Sequence, residues 1–318
     1  MKKYVVLLLP LLALLSFTGN DGRTKHMYQD TSVRCIYETY RGRIDGQYAS
    51  YYPNGVIKAR GSFINNSRSG TWTLWDASGT ICIQRVYDTP ISYKKTFPIV
   101  TDDSLVKLMD VPLYQETYNK DGYIDFFPLQ ERAVFWEKRI KRFIPEKDNE
   151  QLFSNRKLEM VVQESALKKN VTLYLQDDLE KEIGYRTLKP GVERVIGYRI
   201  VEDNVFDSDR FLWERRILSV CPVVYNNVRK DTSDLYWIYF PQLRKYLATV
   251  QTTAKMEKAG NLDDLFYFRR FSSVIYQEGY VFDQNGNTMS PADQVNSERI
   301  EMQLIEKEHD LWLYFGGH

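Results

Sequence analysis

Cysteine, histidine, net charge and long apolar runs are all scarce in this 318-residue chain. The three cysteines, Cys35, Cys82 and Cys221, are too few for a disulfide scaffold, so hydrophobic cores must hold the fold. Two readings stay open for them. Cys35 and Cys82 could pair, and in the chain-entropy account closing that loop would contribute roughly 4 kcal/mol; alternatively all three are buried thiols. His26, His309 and His318 fall at no metal-site or catalytic-triad spacing. Phosphate loops, a nucleophile elbow and paired C-x-x-C motifs are absent. A net charge of +1 gives no general attraction to nucleic acid or anionic membrane. These absences argue against an enzyme and imply no cofactor or metal.

One apolar run stands out, Val5–Leu15, broken only by Pro10 and preceded by Lys2 and Lys3. It is too short to span a bilayer and has the form of a signal-peptide core, which places a signal peptide over residues 1–19 and the mature protein in the periplasm. Cleavage is expected between Ser16 and Asn20. No cysteine follows the run directly, so no lipid anchor is expected, and no later segment is apolar enough to span. About 300 mature residues suffice for one large or two ordinary domains.

Tyrosine and phenylalanine are plentiful, and near the N-terminus they repeat. Gly46-x-Tyr48-x-x-Tyr51-x-x-x-Gly55 recurs 24 residues later as Gly70-x-Trp72-x-x-Trp75-x-x-x-Gly79. Asn54-Gly55 and Ser78-Gly79 are turn formers, and Asn65-Asn66 is a further turn. Hairpin strands with Tyr48, Tyr51, Trp72 and Trp75 on one aromatic face are expected. The pattern resembles the MORN-type repeat of YwqK-like proteins over residues 30–90. Two units are marginal alone, so they should pack on the next domain or on a partner. They could serve as a binding platform or only as a stabilising β-extension. Residues 91–112, with three prolines just before and within them, read as a connector.

Beyond it, Ala133, Trp136, Ile140 and Phe143 are spaced three, four and three, which predicts an amphipathic helix over 130–144 ended by Pro145. A second helix is expected over 155–168, with Leu158, Val161, Val162 and Leu167 inward, and a third over 262–276. Strands are expected at 171–175, 195–201, 216–224 and 236–240. Ser290-Pro291-Ala292-Asp293 starts a last helix reaching about Phe315, with Ile300, Leu304, Leu311 and Phe315 as its stripe and Glu298, Glu301, Glu306 and Lys307 towards water. The fold class is therefore α+β: a mixed helix-and-strand C-terminal domain after a small all-β hairpin-repeat module. Asp283–Asn287 reads as a hairpin turn, and the carboxylate pairs Glu202-Asp203 and Asp263-Asp264 as a solvated edge and a helix start. The basic run 138–142 reads as a solvated helix face.

Six segments carry a family resemblance in order. They are Phe135–Ile144, Tyr198–Asp207, Arg216–Val223, Tyr236–Arg244, Asp263–Ser273 and Ser297–Ile300 with Glu308–Trp312. Over residues 113–318 the chain resembles the GldN (PorN) family of gliding motility and type IX secretion. The resemblance implies a non-enzymatic, ring-forming subunit, with a GldK/PorK-like outer-membrane lipoprotein and a GldM/PorM-like motor segment as partners. Trp136, Arg139, Arg142, Trp237 and Arg244 are candidate interface residues, because aromatic and Arg side chains dominate interface energetics. Each has a second reading as core filling or cover. The alternative function is a periplasmic carbohydrate- or peptide-binding protein that uses the aromatic face of the repeat.

Overall fold

The computed structural model describes residues 22–89, 92–96, 118–252, 260–278 and 291–316. The signal segment, Ser290, the Asp283–Asn287 turn and most of the connector lie outside them.

Seven antiparallel strands form the first sheet in chain order: β1 (Gly22–Met27), β2 (Val33–Tyr40), β3 (Arg43–Tyr51), β4 (Ile57–Ile64), β5 (Ser67–Trp75), β6 (Ile81–Thr89) and β7 (Ser92–Thr96). β7 takes five residues of the expected connector. Two kinds of turn alternate along the sheet. Arg41-Gly42 and Asn65-Asn66 have φ of 49°/67° and 49°/68°, the paired left-handed conformation of a tight hairpin. At the other end, Tyr28–Ser32, Tyr52–Val56 and Asp76–Thr80 close with first-residue N–H to fifth-residue carbonyl bonds of 2.8, 2.8 and 2.9 Å. Their fourth residues, Thr31, Gly55 and Gly79, all have positive φ. The 24-residue spacing thus has a third turn, hidden in sequence because Thr31 stands where the others have glycine.

Tyr48 and Trp72 are buried, whereas Tyr51 and Trp75 are half-exposed. Residues three apart on a strand point to opposite sides, so the expected single aromatic face does not exist. Trp72 lies flat against Gly61, where a Cβ would stand 2.1 Å from its ring, and its Nε1 donates to Ser62 O at 3.1 Å. Cys35 and Cys82 are separate thiols on β2 and β6. Four strand spacings put them about 19 Å apart, beyond the roughly 7 Å between Cα atoms that a disulfide tolerates, so the pairing is corrected.

The second sheet is also antiparallel. Its order is β14 (Val274–Glu278), β8 (Val134–Pro145), β10 (Glu193–Asp207), β11 (Leu212–Asn226), β13 (Trp237–Tyr239) and β9 (Leu173–Tyr174), with β12 (Asp231–Asp234) beside β11. The expected helix over 130–144 is therefore wrong: the segment is β8, paired with β10 from Gly197↔Pro145 to Asp207↔Val134. Trp136, Ile140 and Ile144 are four apart, a spacing that fits a helical period and a strand period alike. The long partner strand decided between them.

Four short helices accompany this sheet: α1 (Glu150–Phe153), α2 (Lys157–Leu167), α3 (Phe240–Leu247) and α4 (Leu262–Tyr267), of which α2 and the start of α4 match the expected helices and α1 and α3 have no counterpart among them. Leu158, Val162 and Ala166 of α2 face the core, but Leu167 is 63 % exposed, against expectation. α3 carries Pro241 in its first turn, where proline costs nothing. α4 starts on Asn261 in a capping box with Asp264. It ends at Tyr267, well short of the expected Tyr276, because Arg269 takes φ of 55°. Arg269 N–H then bonds Phe266 O at 3.2 Å and Arg270 N–H bonds Leu265 O at 2.7 Å, the Schellman ending. One core joins α2, α3 and α4 to Ile144, Tyr198, Ile200, Val220 and Val224 of the second sheet.

The last helix, α5 (Pro291–Gly316), lies between the two sheets. Met302, Ile305, Leu311 and Trp312 pack with Tyr37, Tyr48, Phe63 and Trp72 of the first sheet. Ile300 and Leu304 pack with Ile140 and Ile275 of the second. A helix covered on two sides has no single apolar stripe, so the expected water-facing Glu301 and Glu306 are instead enclosed among cations.

Candidate functional site: the charged junction around the last helix

Three neighbouring strands, a helix ending and α5 bring five charged side chains together. Glu202 on β10 is 0 % exposed and accepts from Arg142 Nε on β8 at 2.7 Å and from Arg269 Nη1 at 2.6 Å. The left-handed turn at Arg269 is what sends its side chain there rather than along α4. Arg142 Nη2 reaches Glu301 on α5 at 2.6 Å, and Arg215 Nη1 on β11 reaches the same carboxylate at 2.8 Å. Three guanidiniums and two carboxylates leave an excess of one positive charge.

That excess shows in the titration. Burial works to raise Glu202, yet Arg142, Arg269 and Arg215 outweigh it and hold the carboxyl at about 2. Burial likewise opposes Glu301, which the same three arginines hold well below the carboxylate range. Burial lowers Arg269 to about 10, offset only in part by Glu202. The expectation of a solvated Glu202 edge is corrected, and in the basic run 138–142 Arg142 is interior with Glu202, while Arg139 and Lys141 pair outside this network with Asp203 and Asp177.

A second polar layer joins α5 to the first sheet. Arg34 forks onto Glu306 at 2.8 and 2.9 Å, Lys58 pairs with Asp310, and Arg68 meets Glu308 at 2.8 Å. Arg68 stacks between Trp72 and Trp312 at 4.8 and 4.9 Å, and Arg85 lies 3.7 Å from the Trp312 ring centre. His309 Nε2 faces Arg68 Nη2 at 3.3 Å. Burial first, then Arg68, Lys58 and Arg85, push His309 well below 6.5, so it is neutral and accepts from Arg68. Backbone stitches add to this: Asn66 Nδ2 donates to Phe271 O at 3.0 Å, and Arg270 Nη1 to Ile64 O at 2.8 Å. The first sheet is thus bonded into the second half of the chain, the first of the two coverings, next domain or partner, that so few repeat units called for.

The candidate interface residues separate. Trp237 is buried in the second sheet. Arg244 is buried too: it forks onto Asp263 at 2.9 and 2.8 Å, donates to Ile124 O at 2.6 Å, and lies 4.5 Å from the Tyr123 ring. Asp263 is therefore more than the helix-start charge expected of it. With Arg142 enclosed in the network, these three are internal and the interface role assigned to them is corrected. Trp136 stacks on Trp213 at 4.8 Å and stays partly exposed. Arg139 forks onto Asp203 at 2.7 and 2.9 Å at the surface. Next to them, Phe135 and Tyr314 are 51 % and 61 % exposed and stack at 5.8 Å. The sequence reading missed this pair, Arg215, and the arginines of the first sheet. Only the crowding of arginine and aromatics within the repeat hinted at them.

Among the described residues, no group of three His, Cys, Asp or Glu side chains is placed to hold a metal ion, and no helix is long and apolar enough to cross a membrane. Buried ion pairs and stacked guanidiniums here tie elements of one chain to each other. The family model described as gliding motility associated protein GldN matches residues 129–313, and the chain belongs to that family, a structural component of gliding motility and type IX secretion machinery. No curated protein matches the chain.

Proposed function

We propose that the chain is a non-enzymatic scaffold subunit of a type IX secretion or gliding-motility complex, working in the periplasm and self-associating into a ring. The family match over residues 129–313 carries this reading, and the signal-like segment Val5–Leu15 supports export. A GldK/PorK-like lipoprotein would hold it at the outer membrane, and a GldM/PorM-like segment would meet it from the motor side. The first sheet, with its MORN-type sequence pattern, belongs to this subunit rather than acting as a separate reader, since it shares a core with α5 inside the matched region. The surface at Phe135 and Tyr314, with Trp136 partly exposed beside it, is the self-association face, because it presents stacked, exposed aromatics.

Purification of the native complex under mild conditions tests this. A large ring containing a lipoprotein is expected; a monomer without partners at native levels overturns the reading.

A further inference from the structure

A hollow of about 550 Å³ lies where β8 ends, between α1, α2, the start of β10 and the 187–191 turn. Its floor is apolar, made by Leu152, Phe153, Leu188, Val195 and Tyr198. Its mouth opens to solvent between exposed Arg156, Thr187, Pro190 and Arg194. Apolar surface held open to water in this way is surface that a partner gains by covering.

A projection suited to it stands at the other end of the same strand. Phe135 is the second residue of β8 and Glu146, on the rim of the hollow, follows its last, so about 35 Å of strand separate them at about 3.3 Å per residue. Phe135 and Tyr314 therefore cannot fill the hollow of their own chain and are presented to that of another. Phe315 packs edge-on against both rings, at 4.7 and 4.9 Å, and braces the exposed pair. The charges left over at the two ends are opposite. At the hollow Glu146, Glu159 and Glu193 are each matched by an arginine, Arg194, Arg156 and Arg186, which leaves exposed Lys189 in excess. At the stack Arg132 and Asp209 answer each other, which leaves exposed Glu131 and Glu137 in excess. Complementary charge of this kind steers two surfaces together and fixes their register.

We propose that the Phe135–Tyr314 stack of one copy seats in this hollow of the next copy, with the Glu131 and Glu137 end facing Lys189. The proposal rests on the self-association reading above and adds the surface on which the stack lands. Such a contact joins two different surfaces, so every addition leaves one stack and one hollow open, and growth continues until the chain of copies closes into a ring. A stack meeting a stack would stop at a dimer.

Cross-linking within the native complex tests this, in a Cys82→Ser chain whose remaining thiols, Cys35 and Cys221, are buried. Arg132→Cys stands beside the stack and Thr187→Cys at the mouth of the hollow, both at exposed positions where substitution is near neutral for folding. With a short bismaleimide the double variant should give a ladder of chain multiples on a denaturing gel, each single variant no cross-link, and a mixture of the two single variants dimers alone. Adding Phe135→Ser and Tyr314→Ser to the double variant should weaken association at least about thirtyfold, the equivalent of about 2 kcal/mol, and remove the ladder. A ring that forms without the ladder, a ladder indifferent to the two serines, dimers from Arg132→Cys alone, or capture of a different protein by Thr187→Cys would overturn this contact and leave the ring standing. A chain that is monomeric at native levels overturns the ring itself, and this contact with it.

Discussion

Arg142 on β8 donates through Nε to Glu202 on β10 at 2.7 Å, and through Nη2 to Glu301 on α5 at 2.6 Å. One guanidinium therefore ties the second sheet to the helix that carries the first. Breaking a buried pair by removing one partner typically costs about 3–5 kcal/mol, because the other charge is left without compensation. Glu202→Gln should lose that much in urea unfolding at neutral pH. Its folded carboxyl sits near 2 against an ordinary 4.5, so the contribution is complete above about pH 4.5 and is lost as pH falls towards 2. The gap between parent and variant should narrow over that window, and a constant gap would count against the assignment.

His309 gives a signal in a different window. It is neutral when folded, with its value depressed by burial and by Arg68, Lys58 and Arg85, while Glu308 and Asp310 lie on the same helix. The unfolded chain takes up its proton below about 6.5, so stability falls as pH drops through that value, by at most about 1.4 kcal/mol per unit. His309→Gln, which still offers Arg68 an acceptor, should flatten the stability profile between about pH 6.5 and 5.

Gly61 and Gly79 separate crowding from backbone strain. A Cβ on Gly61 would meet the Trp72 ring at 2.1 Å, so Gly61→Ala displaces a core indole and should cost about 1–3 kcal/mol or more. Gly79 has φ of 89° with only Val56 nearby at 3.7 Å. Gly79→Ala should cost about 1 kcal/mol from the left-handed backbone alone. Thermal melts should rank the two in that order.

The exposed stack of Phe135 on Tyr314 tests the scaffold reading directly. Replacing both with serine should change stability by no more than about 1 kcal/mol, since both are surface groups. Association should fall by at least about 2 kcal/mol if they are interface anchors. Native mass measurement of the complex decides; unchanged assembly would remove this surface from the ring contact.

Cys35 and Cys82 make a redox prediction. Lying on β2 and β6 as separate thiols, they should leave the melting midpoint the same with and without reductant, and Cys82→Ser should be near neutral.

How much of this was legible beforehand depends on whether the signal was local. The turns at Asn54-Gly55, Asn65-Asn66 and Ser78-Gly79, the start of α5 at Pro291 and the cap of α4 near Asp263 rest on short-range chemistry, and their residues announce it. The family segments were legible in the same way, in order along the chain. β8 was not, because Trp136, Ile140 and Ile144 suit a helix or a strand, and only pairing with β10 chose. Nor was the end of α4, where an arginine takes a conformation that glycine usually marks.

The sequence by itself determined the 24-residue rhythm of the first sheet, the two ends of the last helix and membership of the family. Tertiary structure decided where the charges went. Glu202, Arg142, Arg269 and Glu301 are far apart in the chain and look like surface residues one at a time. They become an interior network only because α5 is pressed between two sheets, where an ionised group must find a partner or give up its charge.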